Sequence, residues 1–284
     1  MWIGITLVVG MLTGCSRMTG GESDIQEQVT DSEEIADTTT TEKAEDAADT
    51  EQADTETEEE RKHKETARQV YAQILKHIYY QHRWPSGESM EQMTPIEDSR
   101  YVIYDVDGDG REELLVENGS GVTASQYGVI YDYHWDTGVT YIQGEMTSLT
   151  VFYSNGFMIQ PLSHNQSLGS DVYPAVYVQY DKDTDSYQTL GTIETWEKAY
   201  MSENYEGQPF PDAQDLDQDG VIYYIFDKEP KTKADYEAVR QTCIGDAQEL
   251  PLEWKSLDIE NFQAYLSEPG PETMSDPVIV ETHE

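Results

Sequence analysis

The sequence predicts an α+β, β-rich fold, an antiparallel meander of hairpins preceded by one helix and followed by short helices. Three observations carry this expectation. Residues 61–78 place apolar side chains at helical spacing. From residue 100 onward, short runs rich in Val, Ile, Tyr and Phe alternate with turns built from Gly, Asn and Asp. Helical spacing then returns in brief stretches after residue 194.

The chain opens on Met1 to Cys15, which is apolar apart from two Thr and too short to span a bilayer. Its end, Leu12-Thr13-Gly14-Cys15, resembles a bacterial lipobox. That resemblance implies a lipoprotein signal peptide over residues 1–15, with Cys15 as the lipidated residue and a membrane partner reached through it. Two acyl chains suffice for stable anchoring at about 0.8 kcal/mol per buried CH₂. Residues 16–60 form an acidic linker. Between Gly21 and Glu60 lie seventeen acids and one Lys, with Ile25, Val29 and Ile35 among the few apolar residues. Such a segment cannot bury enough surface to offset the entropy of ordering, so it is expected to be a disordered stalk stretched by like charges.

A β-rich domain is expected over residues 61–268, with a flexible tail over 269–284. Its first helix starts at Arg61, with Ala67, Val70, Tyr71, Ile74, Leu75 and Ile78 on one face, and stops at Trp84-Pro85-Ser86-Gly87. His77 and His82 lack acidic or Cys neighbours at ligand spacing and read as structural. Residues 88–93 suggest one more helical turn. The expected strands are 100–104, 113–117, 127–134, 140–144, 148–153, 157–160, 175–180, 187–190 and 222–226. Turns fall at Asn118-Gly119, Asp136-Thr137-Gly138, Asn155-Gly156 and Asp181–Ser186. Late helices are expected over 194–201, 232–242 and 258–266, the last capped by Asp258. Pro269-Gly270-Pro271 breaks the chain after them.

The stretch that carries chemistry joins the first two strands. Asp105, Asp107 and Asp109 alternate, Gly110 follows, and Glu113 comes four residues after Asp109. Acids this crowded repel unless a cation lies between them, and a hard cation such as Ca²⁺ takes six to eight oxygens at roughly 2.3–2.6 Å. Gly110 permits the sharp turn. An EF-hand would need a Glu at the twelfth position, where Val116 stands, and a helix where Tyr101 to Tyr104 reads as strand. The stretch instead resembles the Asp-x-Asp-x-Asp-Gly-x-x-(Asp/Glu)-Leu loop of FG-GAP, VCBS and integrin-propeller repeats. That resemblance implies Ca²⁺ bound by the side chains of Asp105, Asp107, Asp109 and Glu113 and by the carbonyl of Arg111. A partial echo follows at Asp215, Asp217, Asp219 and Gly220, but its ninth position is Tyr223, so a second site there would need another acid, such as Asp212 or Asp227. Asp181-Lys182-Asp183-Thr184-Asp185 alternates acids without a Gly and reads as a hairpin turn.

The chain's 57 acids against 17 Lys and Arg give a net charge of −40. This excludes nucleic acid, which is held by cationic side chains, and suits a protein that works with divalent cations. If Cys15 is lipidated, Cys243 has no partner for an intramolecular disulfide. Ser163-His164-Asn165 is not a triad by adjacency, and no nucleophile elbow, zinc motif or phosphate loop occurs. No catalytic residue is assigned. Trp84, Trp135, Trp196 and Trp254 could stack on sugars but more often fill cores. The chain also resembles secreted lipoproteins of Gram-positive bacteria that carry an Asp-x-Asp-Gly-Asp-Gly-x-x-Glu-Leu segment. The expectation is a lipid-anchored extracellular Ca²⁺-binding surface protein whose metal is chiefly structural. A glycan-binding or adhesion module, meeting a cell-wall glycan, host glycan or protein, and an envelope hydrolase are the alternatives.

Overall fold

The structure, a computed structural model, describes residues 57–119, 126–162 and 172–265, and the backbone of 280–282. The leader with Cys15, the linker up to residue 56 and Ser163-His164-Asn165 lie outside the described residues.

Helix α1 (Glu58–Gln81) begins three residues before the expected Arg61. The reason is a capping box. The Thr57 hydroxyl accepts from the Glu60 amide at 3.2 Å, and the Glu60 carboxylate accepts from the Thr57 amide at 2.7 Å. His82 closes the helix in the left-handed region, φ 52°. No helical turn forms over 88–93. An isolated bridge pairs Arg83 with Ser89 instead, and the nearby 3₁₀ turn lies at Ile96–Asp98.

The strands form two six-stranded sheets. The first orders β11-β1-β2-β3-β4-β12, from β1 (Arg100–Tyr104), β2 (Glu113–Glu117), β3 (Tyr127–His134), β4 (Val139–Thr147), β11 (Lys255–Ser256) and β12 (Val280–Thr282). The second orders β10-β9-β8-β7-β6-β5, from β5 (Val151–Phe152), β6 (Phe157–Pro161), β7 (Ala175–Asp181), β8 (Ser186–Glu197), β9 (Val221–Ile225) and β10 (Pro230–Lys231). Consecutive strands pair antiparallel, so each sheet is a meander. The two edge strands of the first sheet lie outside that scheme, β11 antiparallel on β1 and β12 parallel on β4. The helix expected over 194–201 is strand as far as Glu197, paired with β9 through Trp196↔Ile222. Helix α2 (Lys233–Ile244) follows β10, and α3 (Ile259–Phe262) follows β11, with Thr232 and Asp258 as their caps.

Period-two alternation turns each sheet into a two-faced layer. In β1 and β2, Tyr101, Leu114 and Val116 meet Tyr71, Ile74, Leu75 and Ile78 of α1, while Val102 and Leu115 face the other way. There they join Ile130 and Met146 of the first sheet and Phe152, Met158 and Val178 of the second. Beyond, Phe157, Tyr177, Ile193 and Ile225 carry α2 through Tyr236, Val239 and Ile244. The layer order is thus α1, first sheet, second sheet, α2. Each fully buried Leu or Ile in these cores contributes about 1.5–3 kcal/mol. The free thiol of Cys243 packs into the α2 layer, where burial raises its pKa.

Candidate metal centre

The space between the sheets is apolar over most of its extent and acidic at one end. Sequence parity places the acids there. Glu113 shares a face of β2 with Leu115, and Asp132 and His134 share a face of β3 with Ile130. Gln143 reaches the same side by a bulge. Ile130 pairs with Gly144 and Tyr131 with Ile142, so Gln143 is the extra residue and its side chain turns inward.

The β1–β2 loop covers this end. Gly108 and Gly110 take φ values of 79° and 94°, which glycine adopts without strain. The first Asp organises the turn. Asp105 accepts from the Gly108 amide at 2.8 Å and from the Gly110 amide at 3.1 Å. Asp107 accepts from the Asp109 amide at 2.9 Å, and Asp109 from the Arg111 amide at 2.7 Å. Helix α1 pins the far side of the loop. Arg68 grips Glu112 with two bonds of 2.8 and 2.7 Å, and the Tyr71 hydroxyl donates to the Glu112 carbonyl at 2.7 Å. The second sheet closes in from below. A Cβ on Gly156, in the β5–β6 turn, would lie 3.3 Å from the Asp107 carbonyl.

Two groups of acids result, and their neutralisation differs. In the first, Asp105, Asp107 and Glu113 offer carboxylate oxygens within 4.8 Å of one another. Glu113 is fully buried. Its Oε2 accepts from the Val106 amide at 2.8 Å, while Oε1 has no partner. Burial, then Asp107 and Asp132, pushes Glu113 well above the usual carboxyl range. Burial, then Asp109, pushes Asp107 up to about 7. In the second group, Asp132 and Asp185 surround Arg111. The guanidinium lies 2.6 Å from Asp132, 3.0 Å from Asp185 and 2.6 Å from Asp109. His134 adds contacts of 2.9 and 2.8 Å to Asp132 and Asp185, and these two partners raise it to about 9, so it is cationic at neutral pH. Burial alone would raise Asp185. Hydrogen bonds from His134 and Tyr180 and the charge of Arg111 outweigh it and hold Asp185 well below its ordinary value.

The donor set of the first group fits a hard divalent cation. Two oxygens on opposite sides of an ion, each at about 2.4 Å, are about 4.8 Å apart. The unpartnered Glu113 oxygen is the kind of acceptor such an ion satisfies, since an orphaned buried polar group costs about 1–3 kcal/mol. The structure thus gathers the expected Asp105, Asp107 and Glu113. Asp109 turns its carboxylate inward to Arg111 and joins a further convergent group with Asp107 and Asp185.

The echo loop behaves otherwise. Asp215 and Asp219 accept from amides of their own turn, and Asp217 accepts from the Lys233 amide at 2.6 Å. Among the described residues these acids form no convergent group.

Asp132, His134 and Gln143 carry no expectation from the sequence, and Asp185 is expected only as part of a hairpin turn. An acid and a His at core parity on β3 are a legible signal for two of them. Trp84 and Trp196 are core residues, Trp254 lies under Arg100, and Trp135 stacks on His63 with ring centres 4.8 Å apart. Compared with protein-family models, with curated proteins and with solved structures, the chain gives no match.

Proposed function

We propose that the protein is a lipid-anchored, extracellular calcium-binding surface protein in which the ion is first a structural element. The observation that carries the calcium reading is the convergence of Asp105, Asp107 and Glu113, with a buried Glu113 oxygen left without a donor. The ion neutralises these acids and holds the register of β1 and β2, which pair from Tyr104↔Glu113 outward. Extracellular calcium modules bind at about 10⁻⁴–10⁻³ M. At ten times its dissociation constant, calcium stabilises a fold by about 1.4 kcal/mol. Anchoring follows from the lipobox resemblance at Cys15.

Calorimetric titration of calcium into the whole chain tests the metal, with Asp107→Ala as the comparison. Binding heat and a higher melting temperature are expected for the unaltered chain and neither for the variant. A silent titration of the unaltered chain removes the reading.

A glycan-binding role has one observation in its favour. A pocket of about 240 Å³ beside the loop is lined by His63, Tyr133, Trp135, Asp109 and Arg111, and Trp135 is 45% exposed. Aromatic faces and polar groups of this kind suit a sugar ring. A glycan array probed with and without chelator checks it, and Trp135→Ala should abolish any signal that belongs to this pocket.

A further inference from the structure

The acidic end of the inter-sheet space takes its residues from both sheets, and the second sheet sends a carboxylate into it. Asp185 sits in the β7–β8 turn, and one of its oxygens lies within 4.8 Å of oxygens from Asp107 and Asp109. Asp107 also belongs to the group with Asp105 and Glu113. Gln143 stands between the two sheets' acids. Its Nε2 is 2.6 Å from Asp107 and 3.3 Å from Asp185. Gln143 is 2% exposed, and its Oε1 is buried without a partner, as is Oε1 of Glu113.

Two buried oxygens on residues of this acidic end therefore lack donors, and in Gln143 it is the nitrogen that faces Asp107 and Asp185. Turning the Gln143 amide over exchanges its oxygen and nitrogen without changing its shape. The oxygen would then face Asp107 and Asp185, an arrangement that is favourable only with a cation among the three. Coordination by six to eight oxygens also asks for more ligands than the loop's own carboxylates supply singly.

We propose that Asp185 is a ligand of the ion bound by Asp105, Asp107 and Glu113, so that calcium clasps the β7–β8 hairpin of the second sheet to the β1–β2 loop of the first. The inference rests on the calcium reading above and adds to it a ligand from outside the loop. The ion then acts on the packing of two layers as well as on one turn. Gln143 is a positioning residue that holds Asp107 and Asp185 together and turns its oxygen inward when the ion binds.

Amide hydrogen exchange of the whole chain, with calcium and with chelator, tests the clasp without a variant. Calcium is expected to protect amides of the turn 181–186 as well as those of the loop 105–113. Calorimetry adds a second measure. Asp185→Asn should weaken calcium binding by about tenfold, because removing a charged ligand lowers affinity for a hard cation. Asp183→Asn, a neighbour in the same turn whose carboxylate is in no convergent group among the described residues, should leave it unchanged. Binding that is intact in Asp185→Asn and lost in Asp107→Ala, or protection confined to the loop, overturns the clasp and leaves the calcium reading standing. A silent titration of the unaltered chain overturns both.

Discussion

The two Asp-x-Asp-x-Asp-Gly loops share a backbone and differ in what their side chains meet. In each, the fourth and sixth positions have positive φ, 79° and 94° at Gly108 and Gly110 against 57° and 85° at Gln218 and Gly220. The first Asp accepts from the amide of the sixth residue in both, and the fifth accepts from the amide two residues on. The third residue separates them. Asp107 is 3% exposed and enters the space between the sheets, beside Glu113 and Gln143. Asp217 is exposed and accepts from Lys233 at the first turn of α2. The same turn therefore serves as a candidate cation site in one place and as a helix anchor in the other. The Asp-Gly pattern specifies the turn, while the ninth-position acid and the neighbouring sheet decide whether the oxygens converge.

The largest expected effect strikes at that difference. Glu113→Gln keeps the shape of the buried side chain and removes its charge. Calcium affinity should fall by about a hundredfold, or about 2.7 kcal/mol. The metal-free fold should be no less stable than the unaltered one, because the variant no longer buries a repelled carboxylate. Calorimetry and chelated melting curves read the two quantities separately. A variant that binds calcium normally would mean that the ninth position does not distinguish the loops.

Asp105, Asp107 and Glu113 are legible in the sequence because their spacing is local. Asp185 is not. Its alternation with Asp181 and Asp183 has the texture of a solvated turn, and the turn does form. The destination of its side chain depends on a pairing of sheets that places it 3.0 Å from Arg111, 74 positions away. Strand β8 shows the same limit on a smaller scale. Residues 194–197 fit a short amphipathic helix as well as a strand, and Trp196 settles it by pairing with Ile222 and packing on Phe210. The β3–β4 and β5–β6 hairpins are legible because alternation agrees there with the turns Asp136-Thr137-Gly138 and Asn155-Gly156.

A second expected effect concerns pH. In the unfolded chain Asp107 titrates near 3.9, and in the metal-free fold at about 7, chiefly through burial. Between those values the fold holds more protons than the unfolded chain, so this carboxyl makes the fold less stable as pH rises through the window. Asp185 acts in the opposite sense. Its lowered pKa favours the fold above the unfolded value of about 3.9 and loses that benefit in acid. The raised His134 stabilises the fold fully below about 6.5 and loses its effect as pH climbs through about 9. The contribution of Asp107 is isolated by difference. Melting curves of the chelated chain and of Asp107→Asn should converge near about pH 4 and separate toward about pH 7, with the variant higher. With calcium the order should reverse, since the ion replaces the proton on the unaltered chain alone.

The smallest expected effect belongs to the echo loop. Asp217 and the Thr232 cap both serve the start of α2, where Thr232 accepts from Asp235 at 3.1 Å. Removing a helix-terminal acceptor costs about 1 kcal/mol. Asp217→Ala should therefore lower thermal stability by that amount with and without calcium alike. Titration should give one calcium per chain for both the variant and the unaltered protein. A second equivalent that vanishes in Asp217→Ala would show that the exposed loop also gathers a cation. The burial of Asp107 beside a second sheet would then not be what makes a site of this turn, and the shared backbone alone would suffice.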